Sequence, residues 1–374
     1  MALVTLPLPG ESLMSWVNAT AADYGISRAR ATQITGLINK GETFLALHLP
    51  NDAPVFMASW EVMQRVHAAT GLEPPAVTDM TFHRFRGTAL PSVSPGQFDA
   101  TTRRLLHARW ISPTQLRLCP ACADENGGRW PLVWQLPWAI ACMRHYCYLV
   151  DACPDCGTRF ALPVTNPVAG TCQHIVNRSP LRRCGTSLRG MSAHPVRDLA
   201  VLRLQDRLLG HLESAEYDNS EARADFADLW AMASLTLHAA TADSLMHADA
   251  PVRTAMAHFR LDHPVGGRRL STVAIRPPSV LVTAAALRLA AEITFADDPL
   301  ERADAIAGVV REPDSPGMAA VQKSWIAGPM HLARRLSTSR VQPVMALIHK
   351  PWQPPEHAHH TSGSALRGTE GSRP

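Results

Sequence analysis

The placing of the cysteines narrows most what this chain can fold into. All eight lie between Cys119 and Cys184, with none in the first 118 residues or the last 190. Six fall within "LCPACADENGGRWPLVWQLPWAIACMRHYCYLVDACPDCG". The spacing runs Cys119-x2-Cys122, nineteen residues, Cys142-x2-His145, seven, Cys153-x2-Cys156, fifteen, Cys172, and eleven more to Cys184. Two ligands separated by two residues close a knuckle round one ion, because the turn aims both side chains at one point. Zn²⁺ takes four such sulfur and nitrogen donors as a tetrahedron. The eight candidates divide into two full sets, Cys119, Cys122, Cys142 and His145, then Cys153, Cys156, Cys172 and Cys184. His174 is the alternative to Cys184 as the last ligand; the glycine after Cys184 supplies a knuckle turn that His174 lacks. Only seven residues separate His145 from Cys153, which favours this sequential pairing over a cross-braced one. Full sets leave no open position for a reactive water, so two structural Zn²⁺ ions are expected. A cytidine-deaminase site would need an H-x-E ahead of its Pro-Cys-x-x-Cys, and none lies near. Cys147, between Tyr146 and Tyr148, reads as a small buried apolar residue.

Pairing into metal sites rather than disulfides assumes a reducing compartment. The N-terminal "MALVTLPLPGESL" has neither the basic start nor the apolar core of a secretory signal. The most apolar run, "VLVTAAALRLAAEITFA", carries Arg288 and Glu292 and reads as a soluble helix, so no membrane span is expected. The expected location is the cytoplasm. With 374 residues, 46% of them apolar, the chain can fill two or three cores.

Charge is uneven. Residues 101–200 hold twelve arginines against five acidic residues, a net of +7, while the flanking regions are slightly negative. Two acid-free stretches, "TTRRLLHARWISPTQLRL" and "TCQHIVNRSPLRRCGTSLRG", bracket the cysteine cluster with four arginines each. Arg178, Arg182 and Arg183 lie between or beside the ligands Cys172 and Cys184. A metal would hold their loop rigid, and rigid guanidinium groups meet phosphate bidentately at low entropic cost.

The remaining pattern is helical. "GESLMSWVNATAADYG" sets Leu13, Trp16, Val17 and Ala21 on one face, with Gly25 as its stop and Ser27 capping "RARATQITGLI". "VFMASWEVMQRVHAATGLEPPAVTDM" repeats the outline, with a helix to about Ala69, a break at Gly71 and a restart at Pro74 or Pro75. Helix, glycine-containing turn, helix is the helix-turn-helix outline, and Arg28 and Arg30 open the second helix, where DNA-reading helices place their contacts. Helical spacing returns in "VRDLAVLRLQDRLLGHL", "ADFADLWAMASLTL", "PSVLVTAAALRLAAEI", "LERADAIAGVV" and "MAAVQKSWIAGPMHLARRL". Trp130, Trp134 and Trp138, interrupted by Pro131 and Pro137, read as packing round the metal rather than base-stacking platforms. The expected fold is mainly α with a small-strand zinc-knuckle module. It comprises an N-terminal helix-turn-helix-like region (1–100, ending in the linker "PSVSPGQFDA"), a two-zinc segment (101–190), a C-terminal helical domain (191–350) and a disordered tail (351–374).

In "LCPACADENGG…WQLPWAIACMRHYCYLVDACPDCG" a CPxC pair, an acidic-glycine turn, W-x-L-P, C-x-x-H, Leu149 and CPxCG follow in order. This resembles the zinc-binding core of the TniQ family, the transposon targeting proteins related to TnsD. "LPLPGESLMSWVNATAADYG" is similar to the family's Pro-x-x-Gly-Glu-Ser and Ser-Trp hallmark, and "ATGLEPPAVTDMTFHRF" to its Thr-Gly-Leu and Met-Thr segment. The resemblance covers about residues 5–190; the family's last cysteine pair is usually closer than the eleven residues found here. It implies a non-enzymatic adaptor that selects insertion sites by binding DNA or a targeting complex, RNA-guided ones included. Such an adaptor recruits an AAA+ ATPase of the TnsC type, with a homodimer left open. The chain has no G-x-x-x-x-G-K-[ST] loop, so an ATPase would be a partner. Two other readings remain, a zinc-containing helix-turn-helix transcriptional regulator and a protein-interaction scaffold that does not bind DNA.

Overall fold

The computed structural model describes residues 5–38, 58–90, 106–112, 114–161, 167–214, 219–264 and 277–309, and five residues between 335 and 341. The expected linker at 91–100, most of "MAAVQKSWIAGPMHLARRL" and the tail from 351 lie outside them.

Four short helices open the chain: α1 (Leu13–Asp23), α2 (Arg28–Ile34), α3 (Trp60–Thr70) and α4 (Pro74–Asp79). Ser12, Ser27 and Ser59 cap the first three, each side chain accepting a backbone N–H of the first turn. Prolines start the fourth. Both helix pairs bury their apolar faces in one small core of Leu13, Trp16, Val17, Ala31, Val66, Val77 and Met80. The helix-turn-helix outlines are thus two halves of a single packed unit.

This unit docks on the cysteine segment through the hallmark motif. Glu11 is buried and ion-pairs with Arg129, whose Nε donates to Oε1 at 2.8 Å. Ser15 Oγ donates to the same carboxylate and accepts the Trp130 N–H. The Leu132 N–H reaches the Gly10 carbonyl at 2.8 Å. Gly-Glu-Ser and the "GGRW" that follows the first cysteine pair are therefore two sides of one joint.

The cysteine segment holds helix α5 (Pro120–Glu125) and two antiparallel strand pairs, β1 (Ala141–Cys142) with β2 (Cys147–Tyr148), and β3 (Ile175–Arg178) with β4 (Leu181–Arg183). After it come α6 (Leu199–Glu213), α7 (Ser220–Ala239), α8 (Ala250–Asp262), α9 (Val280–Thr294) and α10 (Pro299–Val309). Helix α9 is central and packs against the other four. Ala284, Ala285, Ala286 and Ala290 are fully buried there, and their small side chains let neighbours approach from several sides. No helix among the described residues is long and apolar enough to cross a membrane.

One continuous core joins the cysteine segment to these helices, running from Leu116 and Trp138 through Leu204, Trp230 and Leu287. Polar side chains reinforce the seam. Buried Arg117 donates to the carbonyls of Leu136, Pro137 and Ala139, and to Thr283 on α9. Gln205 accepts the N–H groups of Ile140 and Ala141, and Tyr148 donates to Asp249 at 2.9 Å. Residue 190 therefore marks no break in packing. Trp130, Trp134 and Trp138 are buried, and Trp138 stacks at a tilt on Phe226 of α7, 5.3 Å between centroids.

Candidate metal centres

In "CPAC", Cys119 is the N-cap of α5 and Pro120 opens its first turn, so Cys119 and Cys122 project from the same end of the helix. The β1–β2 turn brings Cys142 and His145 to them. The four donor atoms lie within 4.8 Å of one another. Cys122 Sγ stands 3.6 Å from Cys142 Sγ and 3.2 Å from His145 Nδ1, and Cys119 Sγ is 3.4 Å from the same nitrogen. Cys153, Cys156, Cys172 and Cys184 form the second group, also within 4.8 Å, with Sγ–Sγ separations of 3.8 Å for Cys153–Cys184 and Cys156–Cys172. A tetrahedron with metal–sulfur bonds of about 2.3 Å has edges of about 3.8 Å. These spacings are thus what one central ion requires, whereas disulfide sulfurs sit about 2 Å apart. No disulfide joins any of the eight cysteines.

The electrostatics agree. Burial, then the neighbouring Cys142 thiol, pushes Cys122 up to about 11. Burial lifts Cys172 to about 12 against a hydrogen bond from the His174 backbone. Burial opposes ionisation of Cys156 as well, but hydrogen bonds from Thr158 and the neighbouring thiols outweigh it and bring it down to about 7. Binding a metal would displace protons from the raised thiols. Each cluster is closed by four protein donors, which suits a structural ion.

The grouping is sequential, and Cys184 rather than His174 completes the second set. Cys147 is buried with its Sγ 3.7 Å from Cys119 Sγ, outside the four-atom group. Sequence reasoning passed over Glu125. Its carboxylate bonds His145 Nε2 at 3.1 Å and pairs with Arg144 at 3.0 Å, which fixes the ring with Nδ1 toward the sulfurs. Thr186 plays a similar part at the second group, 2.9 Å from Cys184 Sγ and donating to Asp155.

Three of the four ligand pairs end on a left-handed residue immediately after the second ligand, Tyr146 at φ 48°, Gly157 at 65° and Gly185 at 74°, whereas Cys122 runs on into helix α5. Two are glycine, which adopts that region freely. Tyr146 adopts it with an exposed side chain.

The candidate nucleic-acid residues differ in setting. Arg28 folds back on α1, its Nε donating to buried Asn18 at 2.5 Å, so it ties two helices together. Arg30 is exposed, with a weak 3.3 Å bond to Gln33. Arg178, Arg182 and Arg183 are all exposed on the β3–β4 ribbon. Arg183 donates to the Gln173 carbonyl at 2.9 Å; Arg178 and Arg182 have no protein partner among the described residues.

Fold and site together define a helical protein with two closed four-donor clusters, one of three cysteines and a histidine and one of four cysteines. Residues 2–149 match the family model described as TniQ, a transposition-associated family, and this stretch of the chain is a TniQ region. The match takes in the four N-terminal helices, the Glu11–Arg129 joint and the whole first cluster. The second cluster, its ribbon and the C-terminal helices lie beyond it. No curated protein matches the chain.

Proposed function

We propose that the chain is a target-site selection adaptor for transposition, one that binds duplex DNA, alone or beside a targeting complex, and recruits an AAA+ ATPase of the TnsC type. The match of residues 2–149 to TniQ carries this reading. A surface observation supports the DNA arm. From Cys156 to Arg197 the chain has six arginines and no acidic residue, and this run includes the ribbon at the second cluster. Two Zn²⁺ ions, held by the two closed clusters, serve as staples. Arg178 and Arg182, with Arg183 and Arg30 at the margin, contact phosphate. Binding is therefore salt-dependent, because each neutralised phosphate releases condensed counterions.

The test is duplex affinity across a salt series. Arg178→Ala with Arg182→Ala should weaken binding to all sequences and flatten the log–log salt slope by roughly two. Stability and metal content should hold. Unchanged affinity and slope, with loss of association to a TnsC-type ATPase, would make the ribbon a protein-docking surface. Binding confined to the gene's own promoter, with no ATPase association, would favour a transcriptional regulator.

A further inference from the structure

The second cluster does more than close a knuckle. Its last two ligands, Cys172 and Cys184, stand at the feet of a projecting ribbon. The Cys172 N–H donates to the Thr186 carbonyl at 2.8 Å, and the Cys184 N–H to the His174 carbonyl at 2.8 Å. Between Cys172 and Cys184, nine of the eleven intervening residues form β3, a two-residue tip of Ser179 and Pro180, and β4, with Arg178 opposite Leu181. Asn177 Oδ1 accepts the Ser179 N–H at 3.1 Å and shapes the turn. The long spacing that distinguishes this chain's last cysteine pair is thus an arm clamped at its base.

All seven strand residues are exposed on both faces. They include Ile175, Val176 and Leu181, the last with 64% of its surface open to water. A two-stranded ribbon is at best marginal by itself, and its exposed aliphatics gain burial free energy when a partner covers them. The charge identifies the partner. Arg178 and Arg182 flank the apolar tip, and no acidic side chain lies between Asp155 and Asp198. The end of the ribbon presents Ser179, Pro180 and Leu181, so the apolar surface that leads it is set for packing against bases, while Arg178 beside it is placed for backbone contact. Apolar tips of this kind act on DNA by entering the minor groove and separating a base step. Reach is sufficient, because four strand residues span about 13 Å and the minor groove is about 7.5 Å deep.

We propose that the β3–β4 arm enters the minor groove of duplex DNA and that Pro180 and Leu181 wedge into a base step, bending the target while Arg178 and Arg182 hold the flanking phosphates. This rests on the DNA-binding reading above and goes beyond it by specifying groove, step and deformation. Flexible pyrimidine–purine steps yield most readily to such a wedge.

The test uses the full metal-replete chain and a mixed-sequence duplex of about 40 base pairs with central TpA steps, end-labelled for energy transfer and carrying 2-aminopurine at one step. At saturating protein the wild type should raise both the transfer efficiency and the 2-aminopurine emission. Leu181→Ala should lower affinity several-fold, lose at least half of the transfer change even at saturation, and abolish the 2-aminopurine signal, with metal content unchanged. A wild type that binds this duplex without altering either signal overturns the wedge and leaves the DNA-binding reading intact. So does a Leu181→Ala protein that bends the duplex as the wild type does. Failure of the wild type to bind any duplex overturns the reading beneath it.

Discussion

Tyr146 carries a cost that its counterparts avoid. A side chain in the left-handed region costs about 1–2 kcal/mol, and at the equivalent knuckle positions glycine removes it. Tyr146→Gly should therefore leave the first cluster intact and stabilise the protein by up to about 1 kcal/mol, after the extra freedom of glycine in the unfolded chain is subtracted. Gly157→Ala should destabilise by about 1 kcal/mol, and purely through the backbone, since an added Cβ there meets nothing within 4 Å. Thermal melts of the two variants, with metal content measured alongside, should show opposite signs. Asp225 offers a pH test at the same scale. Burial alone would raise its carboxyl, but hydrogen bonds from His211, Arg207 and Arg340 outweigh that and hold it below the ordinary carboxylate range. A depressed folded value gives stability that is complete above about pH 4 and is lost as pH falls through that lower value. Asp225→Asn should melt earlier at pH 7 and decline less steeply below about pH 4 than the wild type. Parallel curves would assign the acid sensitivity to other groups.

Among elements, the joint between the N-terminal unit and the first cluster has one buried ion pair at its centre, beside its backbone and serine hydrogen bonds. Arg129→Ala strands Glu11, which is 1% exposed, and removing one partner of a buried pair costs about 3–5 kcal/mol. The expected result is early protease cleavage near the joint, and a matching loss in chemical denaturation; a change below about 1 kcal/mol would make the joint ornamental. This pair also shows what the sequence could and could not disclose. Both cluster compositions followed from ligand spacing, because a knuckle is a local event. Helices α1 to α4, α6, α7, α9 and α10 followed from apolar periodicity and caps. Helix α8 was overlooked, although Val252, Met256 and Phe259 keep helical spacing behind Pro251; it is amphipathic but short of aliphatics. The ribbon was invisible because alternation needs one buried face and this ribbon has none. Glu11 meeting Arg129, and Arg117 meeting three carbonyls and Thr283, are long-range pairings that periodicity does not encode. Arg28, chosen for its place at a helix start, proved to be occupied by Asn18.

Across the whole molecule, the shared core makes the clusters responsible for more than their own loops. Structural zinc contributes roughly 10–16 kcal/mol in small peptides, comparable with the entire stability of a domain. Chelation should therefore loosen residues 106–161 together with α6 to α9, while the separate core round Trp16 persists. Hydrogen exchange before and after chelation should show protection lost in the first two regions as one unit and retained in α1. On the proposed reading, each of the two closed four-donor clusters holds one ion. Elemental analysis of metal-replete protein, unmodified and as Cys153→Ser, tests it most directly. The wild type should carry close to two zinc ions per chain and the variant close to one. One ion in the wild type, or two in the variant, would contradict it.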